Sequence, residues 1–277
     1  MNKIDIHCHT TKRKINGIKE IPTLSAISNH MAESGIEKTI LLATYFPHKG
    51  TGITNFRLLN WLNEYDPDRE KFDMFGSLDF DHFFYQGLNE LEELAAGKYI
   101  KGIKLYTCYQ HIDLKGDKLK SVLDLAENYV LPVMFHVGYS YSCMSQTGKV
   151  AYTDPVSPKS LEPIVNAYPK TNFIFSHMGK PFFGELVDVV KSTNNVYTDM
   201  SGIIDEEHEQ AELYQCIMEI TKFLHECSPK KLLFGTDYPV QTHADSVHMI
   251  EEAMRGFHPL DKKDVYYNNA YSLLHKR

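Results

Sequence analysis

Residues 3–9 read KIDIHCH and residues 231–238 read KLLFGTDY. Both are short apolar runs, of strand rather than helix length, and both end in side chains able to bind a proton or a metal. Six further runs lie between them: 38–44 (KTILLAT), 72–79 (FDMFGSLD), 100–107 (IKGIKLYT), 130–138 (VLPVMFHVG), 172–179 (NFIFSHMG) and 195–202 (NVYTDMSG). Their starts recur about every 33 residues, the size of a strand–helix unit. Apolar residues at helical spacing fill the intervals. Ile21–Ser34 begins with Pro22 and carries Leu24, Ile27 and Met31, and Lys118–Asn128 carries Leu119, Val122, Leu123 and Ala126. Ser160–Tyr168, Phe183–Ser192, Glu207–Glu226 and Ala244–Arg255 read the same way.

Strands that alternate with helices pair in parallel, and parallel strands covered on both faces read as near-continuous apolar runs. Eight such units predict an α/β fold, a (β/α)8 TIM barrel, as a single domain over residues 1–277. A doubly wound sheet is the alternative. A dinucleotide-binding version of it would carry a glycine-rich turn after its first strand, whereas the one G-x-G, Gly50-Thr51-Gly52, follows the second. No Pro/Gly/Ser-rich linker divides the chain.

Composition narrows the function classes. Hydrophobic residues make up 43% of the 277 and charged residues 23%, which excludes a disordered or collagen-like chain. A net charge of −7 argues against a nucleic-acid partner, and no apolar stretch is long enough for a membrane span. The opening MNKIDIHCHTTKRK has no apolar segment of signal-peptide length, so a cytoplasmic protein is expected. The five cysteines form no C-x-x-C pair and read as reduced, buried thiols.

In a barrel of this kind the active site lies at the C-terminal ends of the strands. There the sequence puts His7, His9, His136 and His177, with Asp237 ending the eighth run, Lys104 late in the fourth and Asp199 late in the seventh. Strand alternation sends His7 and His9 to one face and Ile4, Ile6 and Cys8 to the other, so Cys8 is not read as a ligand. His7, His9, His136 and Asp237 make an N3O donor set that suits one divalent ion, zinc first and manganese next, with a second ion left open. Residues 139–158 form a long polar and aromatic loop, read as a lid or substrate loop, with Tyr139, Tyr141 and Tyr152 as candidate substrate contacts. His48, His82 and His111 fall in loops after strands two to four, as substrate contacts or solvated residues. Lys12-Arg13-Lys14 reads as a solvated run or an attractor of anions.

Taken together, DIHCH at 5–9, KGIKLYT at 101–107, FHVG at 135–138, SHMG at 176–179, FGTDYP at 234–239 and NNAYSLL at 268–274 resemble the amidohydrolase superfamily, in its amidohydrolase-related branch. The resemblance implies His7, His9, His136 and Asp237 as metal ligands. It implies His177 as a second-metal ligand or substrate-orienting residue, and Asp237 as the proton acceptor. Lys104 falls where some members carry a carboxylated bridging lysine and others an unmodified one; an amine facing a substrate carboxylate and a structural salt bridge are its other readings. The implied activity is hydrolysis of an amide, lactone or ester of a small molecule by metal-activated water, with Asp237 and His177 catalytic. Metal-dependent decarboxylation of a small aromatic or unsaturated acid, a metal-free lactonase and a non-catalytic ligand-binding barrel are the alternatives. The family also makes a homodimer an expectation.

Overall fold

The computed structural model describes residues 1–15, 18–45, 53–65, 69–139, 155–205 and 207–275. Eight parallel strands alternate with helices: β1 (Ile4–Cys8), α1 (Leu24–Ser34), β2 (Lys38–Leu42), α2 (Asn55–Glu64), β3 (Phe72–Phe75), α3 (Phe84–Ala96), β4 (Ile103–Leu105), α4 (Asp117–Asn128), β5 (Val133–Phe135), α5 (Pro158–Ala167), β6 (Phe173–Phe175), α6 (Phe183–Ser192), β7 (Val196–Asp199), α7 (Gln210–Glu226), β8 (Leu232–Leu233) and α8 (His243–Ala253). Two short helices follow, α9 (Pro259–Lys263) and α10 (Asn269–Leu274). Every strand falls inside its expected run, but each is shorter. The polar ends of the runs leave the ladder: His177, Met178 and Asp237 have φ of 62°, 48° and 57°, which no strand accommodates.

Regular pairing gives two sheets, β1-β2-β3 and β4-β5-β6-β7-β8. Backbone hydrogen bonds close both seams between them. The Gly76 N–H donates to Gly102 O at 3.0 Å and the Lys104 N–H to Gly76 O at 2.7 Å, joining β3 to β4. At the other seam the Ile6 N–H donates to Phe234 O at 3.0 Å and the Asp237 N–H to His7 O at 2.7 Å, joining β1 to β8. The eight strands therefore form one barrel.

Two buried clusters follow from the alternation of side chains. Ile4, Ile6, Ile40, Leu42, Phe75, Met134, Ile174 and Leu233 fill the interior, together with Ala270, Leu273 and Leu274 of α10. Cys8, Leu41, Met74, Leu105, Phe135, Phe175 and Phe234 belong to the layer shared with the helices. Ile4 and Ile6 thus lie inside, contrary to strict alternation from His7. The cause is a bulge: between Asp5↔Thr39 and Cys8↔Leu41, three residues of β1 advance against two of β2. The extra residue lets Ile6 and His7 both serve the interior while Asp5 and Cys8 face α8. Among the described residues no helix is long and apolar enough to cross a membrane.

Candidate active site

The strand ends bring most of the expected residues to one place. His7 Nε2 lies 3.3 Å and His9 Nε2 3.1 Å from the same Asp237 oxygen, Oδ1. One ligand atom each of His7, His177 and Asp237 lie within 4.8 Å of one another. His136 reaches this group through His177, its Nδ1 being 3.1 Å from His177 Nε2. His177 therefore stands between His136 and the His7–Asp237 pair. His7, His136, His177 and Asp237 are buried, whereas His9 is 23% exposed and opens the site to solvent.

Two of these residues hold left-handed backbone that a side chain resists, and hydrogen bonds hold them there. The His177 N–H donates to Asp199 Oδ1 at 3.0 Å, and the Asp237 N–H to His7 O. Gly202, at φ 57°, packs so closely that a Cβ there would sit 2.4 Å from Asp237 Oδ2.

Asp199 and Ser201 organise the histidines from below. Asp199 Oδ2 accepts from His7 Nδ1 at 3.1 Å, and its Oδ1 accepts from the N–H groups of His177 and Ser201 and from the Ser201 hydroxyl. Ser201 Oγ in turn accepts from His7 Nδ1 at 2.9 Å, and Ser201 O accepts from His177 Nδ1 at 2.8 Å. Asp199 was among the expected candidates; Ser201, two residues on in TDMSG, was not singled out. Its polar side chain at a strand end was the available signal.

Burial, then the charge of Lys104, pushes His7 down to about 3. Burial, then His177 and Lys104, pushes His136 well below the usual range, and burial lowers His177 as well. Burial opposes ionisation of the carboxylates, yet His7, His177 and Lys104 hold Asp199 low, and His7, His9 and His177 hold Asp237 low. The downward shifts favour the neutral form of the three imidazoles and the charged form of both carboxylates.

Hydrogen-bond partners then fix the tautomers. A carbonyl can only accept, so His136 carries its proton on Nε2, 3.0 Å from Tyr139 O, and His177 carries its own on Nδ1. His7 carries its proton on Nδ1, toward Asp199. Consequently a lone pair of His136 faces a lone pair of His177 at 3.1 Å, and a lone pair of His7 faces the Asp237 carboxylate at 3.3 Å. Such contacts repel unless a cation lies among them. Ligand atoms about 2.0–2.1 Å from a tetrahedral zinc sit roughly 3.3 Å apart, so the separations and the nitrogen-plus-carboxylate chemistry both fit a divalent ion.

Lys104 is fully buried, with Nζ 2.7 Å from Ser176 Oγ and 5.3 Å from the Tyr106 ring centre. Burial lowers it to about 8. Tyr109 packs edge-on against His136, with ring centres 4.9 Å apart. The Tyr139 side chain is 58% exposed, and only its carbonyl touches the site. Tyr141, Tyr152 and His48 lie outside the described residues. The long loop leaves and returns at one point, since Gly138 and Val156 exchange backbone hydrogen bonds of 2.8 and 3.3 Å. His82 and His111 are not brought in: His111 is 90% exposed and pairs with Asp81 at 3.1 Å, and His82 lies 3.6 Å from Asp79. Lys12 caps the Trp61 ring at 4.4 Å rather than reaching the histidines.

The family model described as Amidohydrolase matches residues 4–276. The chain belongs to the amidohydrolase family. No curated protein matches it. Solved structures share the fold over nearly the whole of both chains. An amidohydrolase from Burkholderia multivorans with bound zinc is 14% identical at a TM-score of 0.73, covering 99% of each chain. A probable 2-pyrone-4,6-dicarboxylic acid hydrolase from Acinetobacter baumannii, with citric acid bound, is 17% identical at 0.69, also covering 99% of each. 2,6-Dihydroxybenzoate decarboxylase from Rhizobium is 14% identical at 0.69, covering 99% of this chain and 98% of its own.

Proposed function

We propose that this amidohydrolase is a metal-dependent hydrolase that cleaves a lactone, ester or amide bond in a small carboxylic acid. The observation that carries the reading is the close approach of donor atoms, His136 Nδ1 to His177 Nε2 at 3.1 Å and His7 Nε2 to Asp237 Oδ1 at 3.3 Å, whose facing lone pairs a cation among them would reconcile. His7, His177 and Asp237, whose ligand atoms lie within 4.8 Å of one another, would hold one divalent ion, zinc first and manganese next, with His9 and His136 beside them as the further candidates for its remaining ligand. When bound, such an ion supplies Lewis acidity that activates water and polarises a carbonyl. Asp237 Oδ1 faces the two strand-one imidazoles, which leaves Oδ2 to take the water's proton and return it to the leaving group. Asp199 and Ser201 keep the lone pairs of His7 and His177 aimed at the centre. Lys104, fully buried and electrostatically coupled to Asp199 and Asp237, adds positive charge beside the site, which favours a substrate carrying a carboxylate.

The second reading, decarboxylation of an aromatic acid, draws support from that same buried amine and from the Rhizobium likeness. In it Asp237 would protonate the carbon that loses carbon dioxide.

The test is metal analysis of tag-free protein purified without chelator, followed by a screen of lactones, esters, amides and aromatic acids. Release of acid without carbon dioxide supports hydrolysis, and release of carbon dioxide moves the assignment to the second reading. Asp237→Asn is expected to fold normally and lose turnover by orders of magnitude; near-normal turnover removes Asp237 from the mechanism. Protein that neither holds nor regains metal yet opens lactones would replace this reading with a metal-free lactonase.

A further inference from the structure

On the far side of β1 from the candidate active site lies a second group of donors that the proposed reaction does not use. Asp5, Cys8 and His243 each offer a ligand atom, all within 4.8 Å of one another. All three are buried, at 0%, 0% and 2% exposure. His243, the first residue of α8, lies between the rings of Tyr238 and His30, at 4.8 and 5.7 Å between centres. Neither of its ring nitrogens has a hydrogen-bond partner, although imidazole offers one donor and one acceptor. Burying such a ring unsatisfied is costly, and native structures rarely do so without a reason. Asp5 Oδ1 accepts from the N–H groups of His7 and Thr236 at 3.1 and 3.0 Å, and Oδ2 accepts from the Thr236 hydroxyl at 2.7 Å. Oδ2 also faces His243 Nε2 at 3.8 Å, too far for a hydrogen bond. The Cys8 thiol finds only the carbonyls of His9 and Tyr238, at 3.8 and 3.9 Å.

We propose that Asp5, Cys8 and His243 form a second, structural site for a thiophilic divalent cation such as zinc, between β1 and α8. One carboxylate and one thiolate neutralise a divalent ion, so the buried layer would gain no net charge. The imidazole supplies the lone pair that now meets nothing. Binding releases the Cys8 thiol proton to solvent, because the thiolate is the ligand. The bulge in β1 makes the site: without its extra residue, Asp5 and Cys8 would lie on opposite faces. Because Asp5 also holds the N–H groups of His7 and Thr236, the ion would brace the β1–β8 seam from which His7, His9 and Asp237 project.

Sulfur separates this site from the first, whose donors are all nitrogen and oxygen. Thiolates favour zinc and cobalt over manganese. Chelator-stripped full-length protein is expected to regain two equivalents of zinc but one of manganese. Loading with cobalt(II) should give a thiolate-to-cobalt charge-transfer band in the near ultraviolet. Cys8→Ala and His243→Gln should each lose one zinc, and Cys8→Ala the band. Cys8→Ala puts a small apolar side chain where a buried thiol stood and adds no polar group to the layer, which guards against a variant that merely misfolds. His7→Ala with His9→Ala should keep the band and one zinc, so failure of the first site is read separately. A single zinc with no band in the unaltered protein, or a band that survives Cys8→Ala, overturns the assignment.

Discussion

Replacing Asp199 with asparagine tests whether the first metal set depends on the tautomer of His7. Asp199 accepts hydrogen bonds at both oxygens: Oδ1 from three donors on His177 and Ser201, Oδ2 from His7 Nδ1. Asparagine has one acceptor. The end with three donors takes the oxygen, and the amide nitrogen then points at His7. It donates where His7 also donates, so the His7 proton is driven to Nε2, the atom 3.3 Å from Asp237. A protonated Nε2 cannot ligate. Ser201 Oγ, 2.9 Å from His7 Nδ1, remains an alternative acceptor and limits the damage. The expected loss is therefore that of a supporting residue, about 10–100-fold in metal affinity, or about 1.4–2.7 kcal/mol. Manganese titration followed by paramagnetic resonance of the free ion measures it, and nitrogen NMR of the histidines reads the tautomer. An Asp199→Asn protein that unfolds like the parent, binds manganese within twofold of it and keeps the His7 proton on Nδ1 would refute the reasoning.

Three further outcomes are expected. His7→Ala combined with His9→Ala should abolish manganese loading, and full loading in a folded double variant would sink the site. Gly202→Ala places a methyl group 2.4 Å from Asp237 Oδ2, so turnover should fall at least tenfold while the barrel still folds; parental kinetics would show that Asp237 does not need its present position. Lys104 is pushed from 10.5 down to about 8 by burial, so the folded chain holds that proton less tightly than the unfolded chain. The penalty is full below about pH 8 and disappears as pH rises through 10.5, amounting to roughly 3 kcal/mol at pH 7. Lys104→Met loses the Ser176 hydrogen bond, worth about 1 kcal/mol. Metal-free Lys104→Met should thus be more stable than the parent by roughly 2 kcal/mol at pH 7 in urea melts, with the gap closing toward pH 10.5. A less stable variant at pH 7 would reverse the sign of this argument.

Much of the molecule is legible in the chain because its rules are local. Short apolar runs set the eight strands, and apolar residues at a period of 3.6 set the helices α1 and α4–α8, to within a few residues. The helices α2 and α3 are not among the expected ones, although Leu58, Leu59 and Leu62 of the first and Phe84, Leu91 and Leu94 of the second bury one face at helical spacing. The collection of His7, His9, His136, His177, Asp199 and Asp237 at one end of the barrel also follows from the sequence, because parallel strands all finish on the same side.

What the sequence by itself determined is thus the order of strand and helix and the donor types offered at the strand ends. Tertiary structure decided how those donors meet. His177 lies between His136 and Asp237 because left-handed backbone at residues 177 and 237 turns both out of their strands, held by hydrogen bonds to Asp199 and His7, which lie 22 and 230 positions away. The bulge in β1 exists only against β2, and it alone puts Asp5 and Cys8 on the face that meets His243. Tautomers likewise depend on carbonyls contributed by Tyr139 and Ser201. Hydrophobic periodicity is a property of neighbours along the chain, whereas a buried polar group takes its orientation from whichever distant partner satisfies it.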